Sequence, residues 1–313
     1  MTRDGLDPLA VLERRLTTLS RSVAAEWGIY VRFLGSGDEI AIGADVPLDT
    51  MSLIKVPILV ALMRRVDRGE VSLDERITLT DDHKRLGTGV MRLFGAGATF
   101  TLRDMAWMME VVSDNTATDL CLAAAGGTEA VNATMRELGL DGITMTGTAL
   151  DWFRALAGSM DPALATVSPG ELARRGYPFT RPDELSDARA RYHFEGGRPF
   201  SLATARGLGS LLAQIEARTC ASPGACDFIF DVLSGQQLRN QAPLYVWGAR
   251  FAHKTGAFEP FIGSDSGIVI PYRGEKVAYC FMTQRHAGPR TALDEVIGRM
   301  AELVVLEAEA CSR

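Results

Sequence analysis

The sequence predicts an α/β fold of the α+β kind: one antiparallel sheet of about five strands flanked by helices, with an all-helical lobe beside it. Three observations carry this reading. Strand-like runs occur near both ends of the chain, over residues 28–43 and 249–282. The long middle lacks two-residue alternation and breaks into apolar stripes at helical spacing. Amphipathic helices precede the first strand and follow the last. A sheet assembled from both termini implies a discontinuous division, with 1–50 and 203–313 in one lobe and 51–202 in the other.

Taken in order, Leu9, Leu12, Leu16, Leu19 and Val23 place an amphipathic helix over residues 8–26. Residues 28–34, the turn Gly35-Ser36-Gly37-Asp38 and residues 39–43 read as a hairpin. Pro47-Leu48-Asp49-Thr50 leads into a helix over 52–68, with Pro57 in its early turns, where a missing amide costs least. Thr101, with Asp104 three residues on, reads as the capped start of a helix reaching Val112. Helices over 115–125 and 128–138 each meet a glycine, Gly126 and Gly139. Residues 149–199 carry Pro162, Pro169, Pro178, Pro182 and Pro199 and predict a long irregular segment with short helices. A helix over 202–217, strands over 249–254, 266–271 and 276–282, and a helix over 289–309 complete the chain.

The chain has 313 residues, 47% of them hydrophobic, and a net charge of −6. That supplies a sizeable core. The acidic balance, without a basic patch, argues against nucleic acid as a partner. No run of apolar residues is long enough to span a membrane. The cysteines Cys121, Cys220, Cys226, Cys280 and Cys311 lack metal-ligand spacing and read as reduced thiols, so no metal or cofactor is expected. The N-terminus has early acids and no apolar h-region, which predicts no signal peptide and a cytoplasmic location.

Three short clusters carry the chemistry: Ser52-Leu53-Ile54-Lys55, Ser113-Asp114-Asn115 and Lys254-Thr255-Gly256. Each has a bland reading. Ser52 alone is an N-cap serine, Ser113-Asp114-Asn115 a turn between helices, and Lys254-Thr255-Gly256 a strand end. Their combination and order point elsewhere. A serine hydroxyl needs a base to attack near pH 7. Residues three apart share a helix face, which puts Lys55 within reach of Ser52. Burial beside a second cation would disfavour a lysine ammonium and free its amine to act as that base. A glycine at 256 would keep the strand edge clear for substrate. The four histidines have no accompanying nucleophile elbow, and His253 reads as a packing residue. Trp107, Met108 and Met109 read as core, and Glu259 and Asp265 as solvated turn charges, with Glu259 open to a role in substrate access.

Ser-x-x-Lys, Ser-Asp-Asn and Lys-Thr-Gly in this order resemble the signature set of class A β-lactamases and penicillin-binding proteins. The flanking text, Gly89-Val90-Met91-Arg92 included, agrees over most of the chain. The resemblance implies the serine β-lactamase/DD-peptidase fold, with a site in the cleft between a sheet lobe and a helical lobe. It implies Ser52 as nucleophile, Lys55 as its base, and Ser113, assisted by Lys254, as the proton relay to the leaving nitrogen. Asn115 would bind the substrate amide, Lys254 and Thr255 a substrate carboxylate, and the amides of Ser52 and Ala257 the oxyanion. Asp114 would be structural. The implied partner is a small carboxylate-bearing amide or ester.

One departure stands out. The family's loop glutamate, which activates the deacylating water, has no counterpart: no Glu occurs between Glu137 and Glu171, and Arg154 or a neighbour falls at its place. Asp151, Glu171, Glu184 and Glu195 are the possible substitutes. A serine hydrolase acting through an acyl-enzyme on Ser52 is therefore expected. Alternatives are a DD-peptidase-like enzyme, esterase or acyltransferase with poor β-lactam turnover, and a non-catalytic penicillin-binding sensor.

Overall fold

The computed structural model describes residues 7–179 and 181–310. The first six residues, on which the signal-peptide expectation rests, and Cys311 lie outside that range. Helix α1 (Pro8–Ser20) opens on Asp7, whose carboxylate accepts from the Leu9 amide at 3.1 Å, with Pro8 in the first turn. It ends earlier than its apolar spacing predicts. The Ser20 and Ser22 hydroxyls turn back to the Thr17 and Leu19 carbonyls, and the chain from Glu26 is claimed by strand pairing. Strands β1 (Glu26–Phe33) and β2 (Glu39–Ile42) form the expected hairpin. After β3 (Leu48–Asp49) comes a 3₁₀ turn, Met51–Ile54, and then α2 (Lys55–Asp67). Ser52 therefore lies in the tighter turn before the α-helix, and Lys55 is the first residue of the helix. The stretch Lys55–Met63 is buried on every side, as expected of a central helix.

The short strands β4 (Arg76–Thr78) and β5 (Thr99–Thr101) pair with each other. Helix α3 (Leu102–Val111) starts at the predicted Thr101–Asp104 capping box. Helices α4 (Asn115–Ala124) and α5 (Gly127–Glu137) follow, then β6 (Ile143–Met145). The segment expected to be irregular is largely helical: α6 (Ala149–Met160), a 3₁₀ turn at Pro162–Ala165, α7 (Pro169–Arg175) and α8 (Pro182–Phe194). Three of its five prolines start helices rather than break them. Pro162, Pro169 and Pro182 occupy first turns, where a proline gives up an amide that has no intrahelical acceptor. Strand β7 (Ser201–Ala203) takes the first residues of the expected helix, which becomes α9 (Ala205–Glu216) behind the cap Thr204. Helix α10 (Pro223–Ser234), capped by Ser222, was not expected, and its Pro-Gly start hides it. β8 (Arg250–Phe258), β9 (Ile262–Ile270), β10 (Val277–Gln284) and α11 (Arg290–Ala310) complete the described chain.

The main sheet is antiparallel, in the order β2-β1-β10-β9-β8, so strands from both ends of the chain meet at β1 and β10. One face, with Ile29, Val31, Phe33, Tyr279 and Phe281, packs on α1 and α11. The other, with Tyr30, Ile268, Ala278, Cys280 and Met282, joins α9 and the interior helices in one continuous core. Both faces being covered, β9 and β10 are buried almost throughout and lose the polar alternation that marks a half-exposed strand. No helix among the described residues is long and apolar enough to cross a membrane.

Candidate active site

A cavity of about 270 Å³ opens between the 3₁₀ turn, the α3–α4 junction, α6 and the outer strand β8. Ser52, Ser113, Asn115, Thr255 and Ala257 line its floor. Trp152, Phe153, Phe200 and Phe258 form an aromatic wall. Lys55 and Lys254 lie behind the floor with no exposed surface.

Ser113 links these groups. Its hydroxyl lies 2.9 Å from the Lys55 ammonium nitrogen and 3.0 Å from that of Lys254. Lys55 also donates to the Ser113 carbonyl at 2.8 Å and to Asn115 Oδ1 at 3.0 Å. Lys254 donates to the Thr255 carbonyl at 2.9 Å. The hydrogen bonds of Lys55 thus go to Ser113 and Asn115 and not to Ser52, although Ser52 stands one turn away. Ser113 holds φ +56° and Met51, beside Ser52, φ +44°. Left-handed backbone at two non-glycine residues costs free energy, and packing on both sides must hold it there.

Asp114 explains why the Ser113 turn is rigid. One carboxylate oxygen caps α4 through the Ala117 amide at 3.0 Å. The other accepts from the Val90 and Met91 amides at 2.6 and 2.7 Å. Asn115 donates to the Leu86 carbonyl at 2.9 Å, which ties the same loop to the cavity floor. Asp49 fixes the other side, accepting from the Met51 and Phe200 amides at 3.0 Å each.

Gly256 is needed for a different reason from the one the sequence suggests. A Cβ there would stand 2.7 Å from the Thr50 carbonyl oxygen and 3.4 Å from the Ser52 nitrogen. The missing side chain lets β8 lie directly against the turn that carries Ser52, rather than clearing room for substrate.

The electrostatics centre on three buried groups, one of them absent from the sequence reading. Burial drives the Lys55 ammonium pKa well down, and the Lys254 charge adds to the effect. Burial likewise lowers Lys254, to about 8, while Glu110 and Asp265 pull it back up. Glu110, on the inner face of α3, is fully buried, and neither of its carboxylate oxygens has a hydrogen-bond partner among the described residues. Burial raises its pKa, against the pull of Lys254 and Lys55. The signal in the sequence was an acid among Met105, Ala106 and Met109, three residues before Ser113.

Asp265 is not a solvated turn charge. It is buried on β9, 3.1 Å from His253 Nδ1, and accepts from the Tyr279 hydroxyl at 3.0 Å and the Ala242 amide at 3.1 Å. His253, on β8, is buried and does not line the cavity. Met109 is core, but Trp107 is 37% exposed. Among the acids weighed as substitutes for the loop glutamate, Asp151 is fastened in the α6 capping box with Thr148. Glu171 is paired with Arg174 and Arg175, Glu184 lies 3.8 Å from Arg181, and Glu195 does not line the cavity. Arg154 turns away to the Val167 carbonyl at 2.9 Å, leaving Trp152 and Phe153 at the wall. The one carboxylate among the described lining residues is that of Glu259. No cluster of described residues has the donors to hold a metal ion.

Comparison with known proteins agrees with the fold. A β-lactamase of Sphaerobacter thermophilus superposes with a TM-score of 0.74 at 20% identity, covering 96% of each chain. The penicillin-binding protein PBP-A gives 0.74 at 24% identity, over 97% of this chain and 98% of that one. In sequence, a β-lactamase of Streptomyces albus G is 27% identical over 260 residues, 76% of this chain and 81% of its own length. Residues 11–307 match the family described as the beta-lactamase enzyme family. With that match over nearly the whole chain and an antiparallel sheet and helices arranged as in class A β-lactamases, this protein belongs to the β-lactamase family of serine hydrolases.

Proposed function

We propose that the chain is a hydrolase of the class A β-lactamase type, cleaving a β-lactam or a related amide or ester through an acyl-enzyme on Ser52. The observation that carries this reading is the Ser113 hydroxyl bridging Lys55 and Lys254 on the floor of the cavity that Ser52 lines.

In acylation, the Ser52 oxygen forms a bond to the substrate carbonyl carbon as its proton passes to neutral Lys55. The lowered Lys55 pKa supports this role, because an amine holds its lone pair free only when deprotonated. The tetrahedral oxyanion is held by the amides of Ser52 and Ala257. Ser113 then hands a proton to the leaving nitrogen as the carbon–nitrogen bond breaks, and draws its replacement from the two amines it touches. Asn115 orients the substrate amide. Thr255, on the cavity floor, meets the substrate carboxylate, with the covered Lys254 supplying positive potential from behind.

Release of the acyl group is the weaker half. A water attacking the ester needs a base, and the α6 wall offers indole and phenyl rings where a carboxylate would serve. This favours a long-lived acyl-enzyme, and it keeps open a second reading of peptidase, esterase or acyltransferase chemistry with slow β-lactam turnover.

Mass spectrometry after exposure to benzylpenicillin tests the proposal. A single adduct should form on the protein and be absent from Ser52→Ala. An adduct of equal yield on Ser52→Ala would place the nucleophile elsewhere. Multiple turnover of nitrocefin at a rate matching adduct formation would refute the long-lived intermediate.

A further inference from the structure

We propose that Arg189 binds an anionic group on the acyl portion of the substrate, so that the cleft selects an aromatic acyl group bearing a carboxylate. The proposal deepens the reading of Ser52 as an acylated nucleophile and rests on it.

Arg189 comes from α8, in the segment between α6 and β7, and its side chain reaches the cavity wall. Its guanidinium lies over the Phe258 ring, 4.5 Å from the centroid. That contact fixes the plane of the fork without using its N–H donors. Several other arginines of the segment are occupied. Arg174 and Arg175 pair with Glu171, and Arg181 pairs with Asp183. Arg189 forms no ion pair or hydrogen bond with any described residue, and its Nε is buried without a partner. Burial pulls its pKa down from the ordinary guanidinium range, and the carboxylate of Glu259, on the same wall, opposes this without forming an ion pair. A guanidinium stays charged in a protein and presents a rigid set of donors that matches a carboxylate in bidentate fashion. Nε is removed from water and unmatched, which is costly, and an anion entering the cavity would meet the guanidinium's unused donors.

Two neighbours sharpen the substrate class. Tyr177 lines the same wall, and its hydroxyl makes no hydrogen bond to any described residue, so it offers a second donor. Trp152, Phe153, Phe200 and Phe258 surround this corner with rings, which suits an aryl group next to the carboxylate. The substrate carboxylate assigned to Thr255 and Lys254 lies on the other side of the scissile bond. The preferred substrate therefore carries two anionic groups, one on each side.

Three penicillins that differ only at the benzylic carbon read this directly: benzylpenicillin, its α-carboxy derivative and its α-amino derivative. The second-order rate constant for adduct formation should favour α-carboxy over α-amino by about tenfold or more, the worth of one charge-assisted contact. Arg189→Leu should bring the three within about twofold of one another, and Arg189→Lys should keep part of the preference. Each ratio is internal to one variant, so a change in folded fraction cancels. Equal rates in the parent protein, or a preference for the α-amino compound through Glu259, would overturn the assignment. If none of the three acylates Ser52, the functional reading fails by itself, and Arg189 is then read without chemistry. In that case phenylmalonate should bind the unreacted protein more tightly than phenylacetate by NMR titration, with the difference lost in Arg189→Leu. Equal affinity would end the proposal.

Discussion

At the scale of single residues, Glu110 is the acid that most opposes the effect of burial on the two buried lysines. Its carboxyl pKa rises from about 4.5 to about 7 because burial outweighs the attraction of Lys254 and Lys55. The folded state thus holds the Glu110 proton more tightly than the unfolded chain does. The stability this contributes is complete below the unfolded value and is lost as pH rises through the folded one. Glu110→Gln has no proton to lose. Its melting temperature relative to the parent should therefore climb steadily across that window. The same substitution removes an attraction that holds Lys254 in its ammonium form. If acylation needs the Lys254 proton, its alkaline limb should move to lower pH in the variant. A pH–rate profile of adduct formation, with melting curves at each pH, measures both effects. An unshifted alkaline limb would show that Glu110 does not govern Lys254.

At the scale of elements, the site depends on how closely β8 lies against the 3₁₀ turn of Ser52. The contact is backbone to backbone, with Gly256 facing the Thr50 carbonyl. Gly256→Ala should push the turn away by up to about 1 Å and lower the acylation rate by up to about 100-fold, the penalty a displacement of that size carries. The melting temperature should fall far less than the rate does. Equal, large losses in both would mean that the glycine serves the fold and not the site. Element boundaries show where local rules were legible. The Thr101–Asp104 cap starts α3 as its sequence predicts, because capping is decided by residues three apart. The prolines of 149–199 misled for the same local reason. A proline that ends one helix and a proline that begins the next look alike until the partner amides are known.

At the scale of the whole molecule, one apolar core runs from the inner face of the sheet through α9 and α2 to α3, α4 and α6. The sheet and the helices between its strands should therefore unfold together. Trp27 on β1 and Trp152 on α6 report the two regions. In variants that keep one or the other as the sole tryptophan, denaturation followed by fluorescence should give coincident midpoints. Separate transitions would mean that the continuous core does not couple the two.

The sequence by itself determined the helices with clear stripes and caps, the strands at both ends, and the residue types of Ser52, Lys55, Ser113, Asn115 and Lys254. These follow from spacing within one turn or one strand, and such spacing is local. Tertiary structure alone decided which of those groups touch. Ser113 meets Lys55 across 58 residues of chain and Lys254 across 141. It alone decided that Glu110 and Asp265 are buried, that Trp152 and Phe153 form the wall while Arg154 turns away, and that Arg189 reaches the cavity unpaired. Periodicity says which side of an element avoids water. What that side meets depends on contacts from distant parts of the chain, and those contacts set the desolvation and charge on which the proposed chemistry depends.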